Sequence, residues 1–314
     1  MTWQPFYEGH GCPPERPGQP APLDAPPPWR VFPRRPLHQE FVPSEGLIEA
    51  VNAALLLRRP LLVTGPAGSG KSTVIEQVAM ELELGPVLRW HITSRSGLSD
   101  ALYRYDALGR IHAQRLGGPS NSDDISPFLR MGPLGTALLP SARPRPLLID
   151  EIDKSDLDLP SDLLDVLERG EFEIPELARY EQDEVLIREW GGDALHHVFR
   201  GRVQCTEFPF IVMTSNGERD FPAAFLRRCV RFTMPMPDPD TLTRIVAAHL
   251  GPDGAGSEPA QQLIHTFLGR LASGESLAID QLLNAVHLLT GEHAPDEHRR
   301  HVVEGLLLRD LSRG

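Results

Sequence analysis

The chain has 314 residues, enough for about two domains that bury their cores without disulfide support. Its 31 Lys and Arg against 43 Asp and Glu give a formal net charge of −12, opposite in sign to most nucleic-acid-binding proteins. The 3 cysteines (Cys12, Cys205 and Cys229) form no CxxC pair, which excludes a zinc ribbon and disfavours a secreted disulfide framework. No apolar run reaches the ~18 residues of a membrane helix, and prolines replace the apolar stretch of a signal peptide. We therefore expect a cytoplasmic protein outside the membrane.

The first 43 residues are rich in proline and contain 12 of the 31 prolines of the chain. Proline fixes φ and has no backbone donor, so this stretch cannot form a helix or a central strand. We expect an extended arm over residues 1–43, mobile up to about Trp29. The alternative is a docking arm whose aromatic side chains insert into a partner, namely Trp3, Phe6, Tyr7 and Trp29.

Five short apolar runs alternate with helical patterns between residues 44 and 234. Apolar residues on one face from Leu47 to Leu55 predict a first helix, with Ser44 as its N-cap and Pro60 as its end. A second helix is predicted over 71–84. The five runs are typical of buried strands and cover residues 61–64, 87–93, 147–151, 209–215 and 229–234. Strands separated by helices predict an α/β fold with a parallel sheet.

The strand patterns cease after a proline-rich hinge at 235–239. Four segments beyond it carry the apolar spacing of amphipathic helices, and they cover residues 240–250, 261–271, 279–289 and 298–308. The sequence therefore predicts an α/β core over 44–237 and a small all-α domain over 238–314.

A glycine-rich loop follows the first predicted strand and fits the pattern G-x-x-x-x-G-K-[ST] without a mismatch. The predicted phosphate-binding residues are Gly65, Pro66, Ala67, Gly68, Ser69, Gly70, Lys71, Ser72 and the adjoining Thr73. Glycines allow successive backbone N–H groups to converge on phosphate oxygens, and the following helix directs its positive end at the same charge. Lys71 adds a cation for the β- and γ-phosphates, while the Ser72 hydroxyl can ligate Mg²⁺. We therefore expect ATP and Mg²⁺ to bind here.

Two carboxylates, Asp150 and Glu151, end the apolar run at 147–151. Ligands bind at the carboxyl ends of strands in open parallel sheets, so we expect Asp150 to hold Mg²⁺ and Glu151 to orient and deprotonate the attacking water. The alternative is a surface acidic turn, because Asp153 and Asp156 follow closely. The apolar residues directly before the pair favour the catalytic interpretation.

Three further polar residues are candidates for catalysis. Asn216 ends the run at 209–215 and can bond the γ-phosphate or the lytic water, although an ordinary turn Asn is the alternative. Arg227 and Arg228 precede the last strand and can neutralise charge on a transferring phosphoryl group. Alternatively, the two arginines only offset the dipole of a helix.

From about residue 40 to its end, the chain resembles the AAA+ ATPases, and among them the MoxR-like group. The most specific motifs are the phosphate loop, the Walker B run at 147–151 and the sensor-1 strand that ends at Asn216. Three further segments look MoxR-like: residues 59–65 (RPLLVTG), 132–135 (GPLG) and 163–170 (LLDVLERG).

The resemblance implies a P-loop NTPase αβα sandwich with a five-stranded parallel sheet, followed by a small helical lid. It also implies a ring, usually a hexamer, with ATP between neighbouring subunits. Arg228, alone or with Arg227, would be the arginine finger that reaches into the next site. Phe41 and Val42 match the segment that often lies near the adenine. The segment at 275–281 departs from the family, because it has no sensor-2 arginine.

Two insertions are expected to shape the surface of the ring. Residues 103–115, with aromatic and basic side chains, follow the second strand at the place where ring ATPases often carry a pore loop; packing against the core is the alternative. Residues 175–207 resemble a hairpin elaboration. Within it, His196 and His197 have no matching third ligand nearby, which favours a solvated pair over a metal site.

Three functions are compatible with these features. The first is a ring ATPase that remodels or activates a partner protein, as a chaperone or as the motor of a defence or stress system; family members commonly work with partners that bear a von Willebrand A domain. The second is a nucleotide-switched scaffold with slow hydrolysis. The third is a nucleic-acid translocase, which the acidic balance disfavours. Small-molecule kinases share the loop, but the acidic pair and the helical domain favour water as the acceptor.

Overall fold

The structure is a computed structural model that describes residues 26–32, 43–115, 124–291 and 294–311. The chain divides into two compact units. One unit comprises Pro43–Gly65 and Gly70–Pro235. The other comprises Pro66–Ser69 and the chain from Met236, together with the described residues 26–32. Most of the predicted arm lies outside the described residues, including Trp3, Phe6, Tyr7, Phe41 and Val42.

The described residues form 11 strands and 13 α-helices. The strands are β1 (Leu61–Thr64), β2 (Leu88–His91), β3 (Tyr103–Tyr105), β4 (Leu129–Met131), β5 (Pro146–Asp150), β6 (Glu171–Glu173), β7 (Glu184–Arg188), β8 (Leu195–Phe199), β9 (Arg202–Gln204), β10 (Phe210–Ser215) and β11 (Val230–Thr233). The helices are α1 (Leu47–Leu57), α2 (Thr73–Glu81), α3 (Leu98–Leu102), α4 (Ala107–Arg115), α5 (Pro133–Ala137), α6 (Leu159–Arg169), α7 (Pro175–Ala178), α8 (Ala223–Leu226), α9 (Pro239–Leu250), α10 (Pro252–Gly256), α11 (Glu258–Ala272), α12 (Ile279–Thr290) and α13 (Glu297–Leu307).

A five-stranded parallel sheet in the order β11-β1-β10-β5-β2 forms the centre of the first unit. The predicted α/β fold with a parallel sheet is therefore confirmed. Every residue of β10 is buried, as are the apolar residues of β1 and β5. Strands covered on both faces need such continuous apolar runs, which explains why the sequence revealed them.

The carboxyl ends of four strands of this sheet lie along one edge. Thr64 at the end of β1 is in register with Ser215 at the end of β10, and His91 at the end of β2 is in register with Asp150 at the end of β5. Loops that leave these ends therefore start close together, which is where open parallel sheets bind ligands.

Helix α1 begins after Gly46, so the prediction that Ser44 is its N-cap is wrong. Gly46 takes a left-handed conformation with φ of +79°, which glycine adopts without the steric penalty of a Cβ. The helix also ends before Pro60, because Arg58 takes a left-handed conformation with φ of +54°. The main-chain N–H of Arg58 bonds back to the last turn, and this C-cap ends the helix.

A second sheet of six short strands, in the order β3-β4-β7-β8-β9-β6, was not predicted. Most of its pairs are antiparallel, and only β4 and β7 run parallel. The predicted hairpin elaboration within 175–207 is the β7–β8 pair. In the segment at 103–115, Tyr103 and Tyr105 belong to β3 and pack against the core, and the remainder is α4. The structure thus favours core packing for these tyrosines.

Helices α9 to α13 form the second unit around buried apolar side chains such as Phe267 and Val286. Three of these helices begin with a capping side chain: Asp238, Ser257 and Asp296 each accept a hydrogen bond from a first-turn N–H. Among the helices of the described ranges, none combines the length and apolar character needed to span a membrane.

Trp29 packs against this helical unit. Its indole N–H donates to Asn284 Oδ1 at 3.1 Å, and its ring meets those of His249 and His287 edge-on, with centroids 6.0 and 5.7 Å away. These contacts combine apolar burial with a satisfied indole donor. Trp29 is therefore occupied within its own chain, in contrast to the alternative that it inserts into a partner.

A glycine pair tests the packing of the core. A Cβ on Gly135, in α5, would overlap the backbone carbonyl of Leu102, whereas a Cβ on Gly305, in α13, would meet open space. We expect Gly135→Ala to lower the free energy of unfolding by about 1–3 kcal/mol through overpacking. Gly305→Ala should instead raise it by about 0.5–1 kcal/mol, because alanine favours a helix interior. Urea denaturation measures both; equal effects of the two substitutions would contradict the close packing at Gly135.

Candidate functional site

The glycine-rich loop connects β1 to α2 at the carboxyl edge of the parallel sheet. Gly65, Gly68 and Gly70 all have positive φ, at 147°, 77° and 82°. These left-handed conformations are accessible to glycine and strained for other residues, which explains why the loop needs glycines at these places. The hydroxyl of Ser69 is buried and, among the described residues, has no hydrogen-bond partner. A loop of this kind can present backbone N–H groups to an anion.

Lys71 is a buried cation, with only 7% of its surface exposed. Its ammonium group donates to the Gly65 carbonyl and to Asn216 Oδ1, both at 2.8 Å. Burial lowers the pKa of Lys71, and the negative charges of Asp153, Asp150 and Glu151 oppose that shift. The structure therefore brings together Lys71 and Asn216, two of the predicted site residues.

Asp150 connects the glycine-rich loop to strand β10. Its Oδ1 accepts from the Ser72 hydroxyl at 2.9 Å and from the Thr214 hydroxyl at 2.6 Å. The predicted ligand pair Ser72 and Asp150 is therefore assembled, although Thr214 had not been singled out. A hydroxyl and a carboxylate are hard oxygen donors of the kind that Mg²⁺ binds, beside water and phosphate. The donor chemistry thus fits this ion.

Glu151 contacts strand β10 and the turn that directly follows it in the chain. Its backbone has φ of +59°, and its N–H donates to Thr214 Oγ1 at 2.9 Å. Its carboxylate accepts from Lys154 Nζ at 2.8 Å, and that hydrogen bond is the main cause of the raised pKa of Lys154. His91 Nε2 lies 3.6 Å from the same carboxylate. Glu151 is therefore an ion-paired carboxylate. A water molecule that binds to it has to compete with Lys154.

Asp153 stabilises the loop after β10 by accepting hydrogen bonds from it. Its buried Oδ2 accepts from the Ser215 hydroxyl at 2.9 Å, from the Asn216 N–H at 2.8 Å and from the Glu218 N–H at 3.2 Å. In the sequence, Asp153 stands out only as part of a possible acidic turn. A carboxylate that accepts several donors in a buried position fixes their geometry. Asp153 therefore sets the backbone from which Asn216 reaches Lys71.

Arg227 and Arg228 lie apart from these contacts within the chain. Arg228 donates to Glu168 Oε1 at 2.5 Å and to the Ala224 carbonyl at 3.1 Å. Arg227 is exposed, and its carbonyl accepts from Arg59. Neither arginine is brought to Lys71 or Glu151 by hydrogen bonds or ion pairs among the described residues.

The adjacent histidines of the hairpin make separate contacts. His196 Nε2 lies 2.9 Å from Glu189 and His197 Nδ1 lies 2.7 Å from Glu184. Because the two side chains belong to successive positions of β8, they point to opposite faces of the sheet. This placement gives them no shared ligand position.

Comparisons with known proteins return only distant similarity. No protein-family model matches the chain, and no curated protein matches it. Among solved structures, NtrX from Brucella abortus in complex with ADP has a TM-score of 0.43 and 15% identity, covering 85% of this chain and 54% of that chain. For NtrX in complex with ATP the TM-score is 0.45 and the identity 16%, covering 84% and 56%. The chain thus spans little more than half the length of these NtrX chains, and similarity this distant assigns no family.

The bracing role of Asp153 can be tested by stability. Asp153→Ala would leave three donors without their acceptor, and we expect it to lower the free energy of unfolding by about 2–4 kcal/mol. Asp153→Asn retains an acceptor oxygen and should lower it by about 1 kcal/mol. Urea denaturation followed by circular dichroism measures the difference. An alanine variant as stable as the wild type would show that water replaces the carboxylate and that the bracing is dispensable.

Proposed function

We propose that this protein is an ATP-hydrolysing AAA+ ATPase of the MoxR-like group. The observation that carries the proposal is that three distant segments meet: the glycine-rich loop with Lys71 and Ser72, the end of β10 and the end of β5. Lys71 bonds Asn216 at the end of β10, while Ser72 bonds Asp150 at the end of β5. The motif resemblance of the sequence supports the same assignment. A glycine loop that served only as a flexible turn would need neither contact.

Each residue has a role in this proposal. The loop from Gly65 to Ser72 binds the phosphates, with Lys71 supplying the positive charge. Ser72 and Asp150 would hold Mg²⁺, which draws charge away from the β- and γ-phosphates. Glu151 orients the attacking water and accepts its proton. Asn216 would move from Lys71 to the γ-phosphate or the water when a nucleotide binds.

A second candidate, a nucleotide-switched scaffold with slow turnover, is favoured by one contact. The Glu151 carboxylate already accepts from Lys154 at 2.8 Å. That hydrogen bond competes with the attacking water for the carboxylate, so the water is activated only when Lys154 releases it. Under this alternative, ATP binding changes assembly and hydrolysis only resets the state.

The proposed assembly is a ring, as a hexamer, in which an arginine from one subunit completes the site of the next. Arg228 is paired with Glu168, whereas Arg227 is exposed. These placements favour Arg227 as the side chain that is available to a neighbour, with Arg228 available only if it leaves Glu168. The further proposal, that the ring remodels or activates a cytoplasmic partner with a von Willebrand A domain, has the family resemblance as its support.

Substitution of Glu151 separates binding from hydrolysis. Glu151→Gln keeps the shape of the side chain but removes the base, so the variant should bind ATP and lower kcat by about 100-fold or more. Lys71→Ala removes the buried cation and should abolish nucleotide binding. Isothermal titration and phosphate release measure the two properties. Turnover of the Gln variant at the wild-type rate would exclude Glu151 as the base, and slow turnover in the wild type itself would favour the scaffold.

The finger can be assigned by mixing variants. We expect Arg227→Ala to lower kcat by about 10³-fold while sparing ATP binding, and Arg228→Ala to have the smaller effect. Subunits with Lys71→Ala retain their arginines, so adding them to the inactive arginine variant should restore part of the activity. If intact rings of mixed subunits remain inactive, the site is not shared between subunits. If neither arginine affects kcat, both only offset the dipole of α8.

A further inference from the structure

The outer face of the second sheet carries a row of arginines that the proposed ATPase does not use. Arg104 in β3 is in register with Arg130 in β4, and Arg130 is in register with Arg188 in β7. On the next strand, Leu195 in β8 is opposite Arg188. Neighbouring strands lie about 4.8 Å apart, so the three arginines span about 10 Å. We call this surface, formed by Arg104, Arg130, Arg188, Leu186, Leu195 and Phe199, the arginine face.

The side chains of this row point to solvent. Arg104, Arg130 and Arg188 are all exposed, whereas the strand neighbours Met131 and Ile187 are fully buried. The alternation follows from the two-residue period of a strand, which places successive side chains on opposite faces. The row is therefore a surface feature and contributes nothing to the core.

Like charges on adjacent strands destabilise a sheet unless another group compensates them. One compensation is Trp190, whose ring lies 5.5 Å from the guanidinium carbon of Arg104 and 6.0 Å from that of Arg130. The backbone N–H of Trp190 donates to the buried Thr136 hydroxyl at 2.9 Å, which fixes the backbone from which the Trp190 side chain extends. Arg104 and Arg130 are therefore held beside the same aromatic ring.

The carboxylates beside the row compete only weakly with a ligand for the arginines. Asp193, 92% exposed, lies 3.1 Å from Arg188, and Asp100 lies 3.9 Å from Arg104. Exposed ion pairs of this kind contribute little, so another carboxylate can replace them. Among the residues that the structure describes, Arg130, at the centre of the row, makes only a long contact of 3.4 Å with the Glu189 carbonyl besides its contact with Trp190.

Apolar side chains continue the same face beyond the arginines. Leu195 is 54% exposed, Leu186 39% and Phe199 58%. Leu186 is opposite His197 and Phe199 is opposite Glu184, so the apolar residues share one side of β7 and β8 with Arg188 and with the contact between His197 and Glu184. Such a face suits a ligand in which carboxylates adjoin apolar side chains.

We propose that the arginine face docks an acidic segment of a partner protein that carries apolar residues beside its carboxylates. Guanidinium groups bind carboxylates through paired hydrogen bonds, and three in a row provide several such contacts. A nucleic acid is less suited, since the chain has a net charge of −12 and the ring of Trp190 already stacks with two arginines. This docking is independent of nucleotide hydrolysis.

Binding can be measured by fluorescence anisotropy with the full chain and no nucleotide. The probe is a short labelled peptide that alternates Glu with Leu and Ser, and its matched control carries Gln in place of Glu. We expect the acidic peptide to bind and its affinity to fall as salt is added. Its affinity for the Arg130→Glu variant should be lower than for the wild type by about tenfold or more. Arg169→Glu, at the exposed last residue of α6, makes the same change in net charge and should bind like the wild type.

Circular dichroism checks that the variants fold, and Arg130→Gln, which adds no negative charge, should weaken binding in the same direction. Equal affinity of wild type and Arg130→Glu, or no binding by the wild type, would overturn the proposal. Tighter binding of a single-stranded oligonucleotide to this face would replace it with a nucleic-acid site. Self-association that is lost in Arg130→Glu would instead identify a second copy as the occupant. ATP turnover, assayed separately, tests only the proposed ATPase.

Discussion

The candidate site depends on keeping a positive charge at Lys71, a residue that is almost entirely buried. Burial alone would favour the neutral amine, so the cation persists only where acceptors and negative charge surround it. Gly65 O and Asn216 Oδ1 supply the acceptors, and the carboxylates after β5 supply the charge. The glycine-rich loop, the turn after β5 and the turn after β10 are therefore interdependent, because each one stabilises the same cation.

The parallel sheet and the glycine loop could be predicted because each is encoded within a short stretch of sequence. Strands β1, β5 and β10 are buried on both faces and therefore read as continuous apolar runs. The loop needs left-handed backbone at Gly65, Gly68 and Gly70, which restricts those positions to glycine. Neither inference requires knowledge of which segments meet in space, beyond the rule that ligands bind at strand ends.

The features that were missed depend on contacts between distant segments. Thr214 and Asp153 look like an ordinary strand threonine and an ordinary turn aspartate, until the fold places Thr214 on Asp150 and Asp153 under Asn216. The second sheet consists largely of three-residue strands, which are too short to show a two-residue period. The predicted start of α1 was wrong because a side-chain N-cap at Ser44 was expected, whereas the N-cap is Gly46 in a left-handed conformation.

Under the proposed function, the turn after β5 has two opposing effects on hydrolysis. Lys154 occupies the carboxylate of Glu151, which the attacking water needs, while Asp153 holds Asn216 beside Lys71, which prepares the phosphate site. Because both side chains belong to one short 3-10 turn, Ile152–Lys154, a displacement of this turn would affect both effects together. In the proposed ATPase, nucleotide binding and water activation would therefore be coupled through the backbone of a few residues. A catalytic ring and a slow switch would differ in how readily this turn releases Glu151.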